Sequence, residues 1–262
     1  MINLFHINDY EIRTTMFSNL LHDKIVREFE ENFARYVGAK YACSANSASS
    51  LIQIALRRGA NIAHIPSILP FVVPNALINA RVPYKFVDDI EWVGGSYVIC
   101  EYCSRKIIDS AQKVERDQFK NEANPEDWMV FSFYPTKPVG GCDGGMIVSD
   151  DKESIDWFKT AVFNGTKPSE NSWEREVVFP GHKAHINSIQ AYIANENLKK
   201  NWTPLWIKKT DEPNTGNTLI KDAGGAWCES NSEKIDPSLF FNFQEKKAND
   251  HNEDNKGQQK LF

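Results

Sequence analysis

Apolar positions along the chain alternate between helical and strand periods. Ile25, Phe29, Phe33 and Tyr36 recur at helical spacing, and Gly38 follows as a stop signal, so a helix is expected over 23–37. A short β-like run, Lys40-Tyr41-Ala42-Cys43, leads into the small polar turn Asn46 to Ser50 and then a helical pattern from Leu51 to Arg58, closed by Gly59. The pattern repeats: Ile62–Ile65 reads as a strand, Val72–Ala80 as a helix with Pro74 in its first turn, and Tyr84–Val87 as a strand. Further strands are expected at 97–100, 106–108, 129–133 and 145–148, and further helices at 152–162 and 188–199. Such alternation predicts an α/β fold, a mainly parallel sheet with helices on both faces.

Beyond about residue 205 this order fades. Asp211 to Gly216 is loop-like, Leu239-Phe240-Phe241 offers an anchor for a small peripheral element, and 245–262 is almost wholly polar. A large domain over 1–200, a reduced C-terminal region over 201–244 and a disordered tail over 245–262 are therefore expected. The 262 residues suffice for a substantial core. A net charge of -5 and a pI near 5.7 argue against nucleic acid as a partner. The N-terminus lacks a signal-peptide pattern, and no run of about 18 apolar residues occurs, so a cytoplasmic protein without membrane attachment is expected. Five scattered cysteines fit a reducing compartment. The single Cys100/Cys103 pair has no second pair to complete a zinc site, so no metal is expected.

Candidate chemistry gathers at strand ends. Lys137 sits in a turn just after the apolar run Phe131-Ser132-Phe133. A lysine of ordinary pKa, about 10.4, is neutral in roughly one molecule in a few thousand at pH 7, a handicap of about 4.6 kcal/mol for a nucleophile or base. Burial, or condensation with an aldehyde cofactor, removes that handicap. Asp109 ends the apolar run Ile107-Ile108, where open α/β sheets build their sites, although it would serve equally as a helix cap. Asn46 to Ser49 places small residues at a helix N-terminus, suited either to an anion such as phosphate or to plain capping.

Five segments in order resemble the DegT/DnrJ/EryC1/StrS sugar aminotransferases, pyridoxal-phosphate enzymes of fold type I. They are Phe29 to Ala42, Asn46 to Leu56, Ile108 to Gln112, Phe131 to Lys137 with Gly144-Gly145, and Gly181 to Ala191 with Leu198. The resemblance spans about residues 25 to 200. It implies pyridoxal 5'-phosphate as cofactor, Lys137 as the lysine bonded to its aldehyde and moving the substrate proton, and Asp109 as the partner of its pyridine nitrogen. It further implies that Ala48, Ser49 and Ser132 hold the phosphate, that Gln112 touches the ring hydroxyl or face, and that Phe71 stacks on the ring. Plain core packing explains Phe71 nearly as well.

Lys183 stands where the family commonly has an asparagine that reaches the phosphate of a neighbouring subunit's cofactor; a lysine can serve there as a point charge. His185 reads as a surface histidine or a substrate contact. The resemblance implies a homodimer with shared sites that moves an amino group from glutamate to a nucleotide-linked keto-sugar, in surface-polysaccharide or related synthesis. Retention of Lys137 counts against the relatives that use a histidine there to dehydrate the sugar. Relative to the family, the segment between Val87 and Tyr97 and the small C-terminal domain are shortened. A homologue that binds the cofactor without sugar transamination is therefore the alternative.

Overall fold

The computed structural model describes residues 10–21, 23–58, 60–90, 92, 94–167, 176–200 and 227–228. In chain order the elements are α1 (Lys24–Val37), β1 (Tyr41–Ala45), α2 (Ala48–Leu56), β2 (Ala63–Pro66), β3 (Leu69–Pro70), α3 (Val72–Ala80) and β4 (Tyr84–Val87). They continue with β5 (Tyr97–Tyr102), β6 (Arg105–Asp109), α4 (Gln118–Glu122), β7 (Trp128–Ser132), β8 (Gly145–Ser149), α5 (Lys152–Val162), α6 (Ser188–Lys199) and β9 (Trp227–Cys228). Apart from β9, the expected C-terminal region over 201–244 and the polar tail over 245–262 lie outside the described residues.

A five-stranded sheet in the order β1-β8-β7-β6-β5 forms the centre. Successive side chains on a strand point to opposite faces, and the sequence uses both. Trp128, Val130 and Ile147 enter the apolar layer shared with α2, α3 and α5, whereas Met129, Phe131, Met146 and Val148 enter the layer under α1, α4 and α6. The α1 stripe read from the sequence supplies Phe29 and Phe33, both fully buried. Phe33 packs edge-on against Phe131 and Phe133 at 4.9 and 5.2 Å between ring centres.

The α/β class with helices on both faces thus holds, while the strand directions refine it. β1, β6 and β7 run one way; β5 and β8 oppose their neighbours. Parallel pairing needs a crossover: β6 and β7 are joined through α4, and β2 and β4 pair in parallel through α3. No helix separates β7 from β8, and β5 returns to β6 through the two residues Cys103-Ser104, both at positive φ (46° and 71°). That backbone suits a hairpin turn, but the sequence carries none of the glycine or asparagine that usually marks one.

Local signals explain most boundaries. Gly38 closes α1 in the left-handed conformation (φ 79°). The Asn187 side chain accepts from the Gln190 N–H, and the Gln190 side chain reaches back to the Asn187 N–H, a reciprocal cap that starts α6. α2 begins three residues earlier than its apolar pattern suggests. Ser47 is its N-cap, so Ala48-Ser49-Ser50 form the first helical turn and not a preceding loop.

Asp23 caps α1, and its carboxylate accepts from the Ile25 N–H (3.0 Å) and from the Ser18 N–H and hydroxyl (2.6 and 2.7 Å). Burial raises its pKa, but these donors prevail and hold it at about 2. A depressed carboxylate stabilises the fold above its unfolded pKa and loses that contribution as pH falls through the folded value. Asp23→Ala is expected to cost about 1 kcal/mol at neutral pH. In urea denaturation, the gap between parent and variant should narrow as pH is lowered from about 5 toward 2.

Candidate active site

The site lies at the carboxyl ends of the parallel pair β6 and β7, where Asp109 and Ser132 end their strands. After β7 the chain forms a tight turn: the Lys137 N–H donates to the Tyr134 carbonyl (2.8 Å), and the Gly140 N–H to the Lys137 carbonyl (2.8 Å). The turn is tied back to the strand by the Gly141 N–H on the Phe133 carbonyl (2.7 Å). These bonds fix the backbone from which the half-buried Lys137 enters a pocket of about 520 Å³.

Asp109 is 6% exposed and faces the same pocket. One carboxylate oxygen accepts from the Ala111 N–H (2.9 Å) and the other from the Tyr97 hydroxyl (3.0 Å). Burial pushes the carboxyl pKa up, while the Ala111 and Tyr97 donors and the Lys137 charge pull against it. Burial also lowers the pKa of Lys137, with the Asp109 charge opposing. A larger share of the amine is therefore neutral near pH 7 than an exposed lysine would offer.

Opposite this pair stands the N-terminus of α2. The Ser47 hydroxyl accepts the Ser50 N–H (3.1 Å), and the Ser50 hydroxyl donates to Asn46 (2.9 Å), so the serine side chains hold the turn. Ala48 and Ser49 line the pocket at the positive end of the helix, in position to bind an anion through backbone N–H groups. Gly145 makes this placement possible. A Cβ there would lie 2.4 Å from the Ala48 nitrogen and 2.6 Å from its Cα.

Of the expected residues, Ala48, Ser49, Asp109, Gln112, Ser132 and Lys137 line this one pocket. Ser132 is buried, with its hydroxyl accepting the Tyr134 N–H (3.3 Å). Gln112 is oriented by the Gly94 N–H on its side-chain oxygen (3.3 Å). Phe71 does not line the pocket: it is 41% exposed, while its neighbours Pro70 and Val72 do line it. Lys183 is exposed in a bridge with Phe163, away from this pocket, and His185 packs against the Phe163 ring at 4.8 Å. Cys100 is buried and Cys103 exposed on the β5–β6 turn, and no metal-binding cluster occurs among the described residues. Trp92 and Tyr97 also line the pocket. Sequence reasoning missed them; the signal available was the strand alternation of 97–100 set opposite that of 106–109.

Comparison with known proteins gives concordant results. The profile described as the DegT/DnrJ/EryC1/StrS aminotransferase family matches residues 10–66 and 107–238. Among curated relatives, a UDP-4-amino-4,6-dideoxy-N-acetyl-beta-L-altrosamine transaminase of Campylobacter jejuni is 25% identical over 215 residues, 68% of this chain and 57% of that protein. The spore coat polysaccharide biosynthesis protein SpsC of Bacillus subtilis is 25% identical over 219 residues, 67% and 56%. The chain thus spans a little over half the length of these relatives. Helicobacter pylori PseC, an aminotransferase of pseudoaminic acid biosynthesis, superposes with a TM-score of 0.55 at 20% identity, covering 71% of this chain and 60% of its own. Bacillus subtilis NtdA, solved with bound PMP, gives 0.59 at 17% identity, covering 79% and 55%. These likenesses establish the aminotransferase fold. No helix among the described residues is long and apolar enough to cross a membrane.

The Gly145 contact is open to direct test. Gly145→Ala must push the α2 backbone away and is expected to cost about 1–3 kcal/mol in urea denaturation. Gly95→Ala, where the nearest atom to the new methyl is 3.7 Å away, should stay within about 0.5 kcal/mol. Equal costs at the two positions would show that close packing at Gly145 does not set the helix in place.

Proposed function

The chain belongs to the DegT/DnrJ/EryC1/StrS aminotransferase family, and on that premise we propose that it is a pyridoxal-phosphate-dependent aminotransferase moving an amino group from glutamate to a nucleotide-linked keto-sugar. The observation that carries this reading is the convergence of the Lys137 amine, the buried Asp109 carboxylate and the N-terminus of α2 on one pocket. These groups match the three ends of pyridoxal 5'-phosphate. Ala48 and Ser49 offer backbone N–H groups, and Ser132 a hydroxyl, to the phosphate; Asp109 meets the pyridine nitrogen; Lys137 bonds to the aldehyde carbon. Gln112 contacts the ring hydroxyl or face. The close approach of α2 to β8 at Gly145 holds the helix N-terminus that would receive the phosphate.

When bound, the cofactor supplies an electron-accepting ring conjugated to the substrate amino group. Asp109, ionised, keeps the pyridine nitrogen protonated and so strengthens that electron demand, a bias of about 1–3 pKa units for an adjacent carboxylate. The Lys137 amine would hold the aldehyde and serve as the base and acid that moves the substrate proton. Its pKa, lowered by burial, suits both halves of that task.

The sugar substrate rests on the printed names of the relatives, which include transaminases of a UDP-linked amino sugar, and glutamate rests on the family resemblance. We further propose a cytoplasmic homodimer in which the exposed Lys183 serves the partner's phosphate site. The family resemblance supports a ring contact for Phe71, which is exposed between the pocket-lining Pro70 and Val72.

Adding pyridoxal phosphate to the purified protein should produce a visible absorbance band that glutamate bleaches and a keto-sugar nucleotide restores. Lys137→Ala should lose the band's covalent retention after borohydride reduction and lower turnover by about 10²–10⁴-fold. Binding without bleaching by glutamate would make the chain a cofactor-binding member without transaminase activity. No binding at all would sink the enzyme reading.

A further inference from the structure

We propose that Tyr97 is a positioning residue of this site, its hydroxyl orienting the Asp109 carboxylate and holding it ionised for the cofactor's pyridine nitrogen. The inference rests on the function proposed above. Tyr97 reaches Asp109 because the β5–β6 hairpin sets them directly opposite each other in antiparallel register. Its hydroxyl lies 3.0 Å from one carboxylate oxygen, while the Ala111 N–H occupies the other at 2.9 Å. Tyr97 is 7% exposed, and the Trp92 ring packs against it at 6.3 Å, itself fixed by its indole N–H on the Ile68 carbonyl (2.7 Å). Tyrosine, hairpin and tryptophan together hold one donor on one oxygen.

The need for such a donor follows from the burial of Asp109. A carboxylate out of water drifts toward its neutral form, which cannot pair with a protonated ring nitrogen. The titratable groups bearing on Asp109 are Tyr97 from β5 and Lys137 from the turn after β7. α2 and α3 bring only Ala48, Ser49, Ile52, Val72 and Val73 to the pocket. Lys137 is committed to the cofactor's aldehyde in the proposed reaction, so its charge is not free to serve Asp109 throughout. Burial and the Asp109 charge push the Tyr97 phenol well up, and it remains a donor across the working pH range.

The test uses the full chain and the dissociation constant of pyridoxal phosphate, read by absorbance between about pH 5.5 and 8.5. Tyr97→Phe keeps the ring packing and removes only the hydroxyl. Its acid limb should move up by about one pH unit, the size expected for a hydrogen bond to a charged acceptor. Affinity should then fall roughly 10-fold below about pH 6.5 and change by less than about threefold at pH 8.5. Added to Asp109→Asn, the same substitution should leave the profile unmoved. A profile that superposes on the parent's, or that drops equally at every pH and in the Asp109→Asn background, would assign Tyr97 to packing alone and overturn the inference. Failure of the parent chain to bind pyridoxal phosphate at any pH would overturn the function proposal itself, and this inference with it.

Discussion

Everything in the pocket depends on how closely the first turn of α2 approaches β8. In the central sheet Gly145 pairs with Ser132 of β7 on one side and with Ala45 of β1 on the other, and Ala48 sits directly above it. A side chain at 145 would occupy the space of the Ala48 nitrogen. With hydrogen there, the positive end of α2 comes down beside the strand end that carries Ser132. The helix proposed to hold the phosphate and the strand leading to Lys137 are therefore one packing unit, and the sheet sets the distance between them. The Asn46 N–H on the Ala184 carbonyl (2.7 Å) ties the entry of that unit to the segment before α6.

Against this rigid frame the site keeps two groups in unfavourable surroundings. Asp109 and Lys137 are both shifted toward their neutral forms by burial, and each partly restores the charge of the other. A buried pair of this kind is weak support for stability, because desolvation opposes the Coulomb gain. Its sense is chemical: perturbed acids and bases in a cleft are suited to moving protons. Elsewhere the chain spends buried charge differently. Glu30 accepts from both the Ser44 N–H (2.8 Å) and hydroxyl (2.7 Å) and meets Lys159 at 2.9 Å, which joins α1, β1 and α5 away from the pocket.

Much of this was legible in the sequence wherever a local rule carried the information. α1 was readable from its stripe and Gly38, and α3 and β4 from the repeat of helical and strand patterns. Asp109, Ser132 and Lys137 followed from motif order, and they do meet. The misses have two causes, a cap that small residues hide and the direction in which strands pair. The start of α2 is fixed by Ser47 capping, which its small residues hide from a hydrophobic reading. The antiparallel β5–β6 return rests on Cys103 and Ser104 adopting positive φ, which residue type alone disfavours. Phe71 shows the limit from the other side, since a position adjacent to a site in sequence can still turn outward from a single chain.

The hairpin also explains how Asp109 is supported from β5. With no helical crossover before β6, the chain must approach that strand from the opposite direction. An antiparallel neighbour places residues directly across from one another; the two-residue turn alone would bring Val98 opposite the terminal carboxylate, but the residue there is Tyr97. The register shift between Val98 and Cys100 lies between the turn and that pair, and the extra residue it inserts in β5 is what sets Tyr97 opposite Asp109. Trp92, five residues beyond the end of β4, packs against Tyr97 and closes the same wall of the pocket. The connection from β4 thus brings the Tyr97 hydroxyl into direct contact with the Asp109 carboxylate, the group proposed to meet the cofactor.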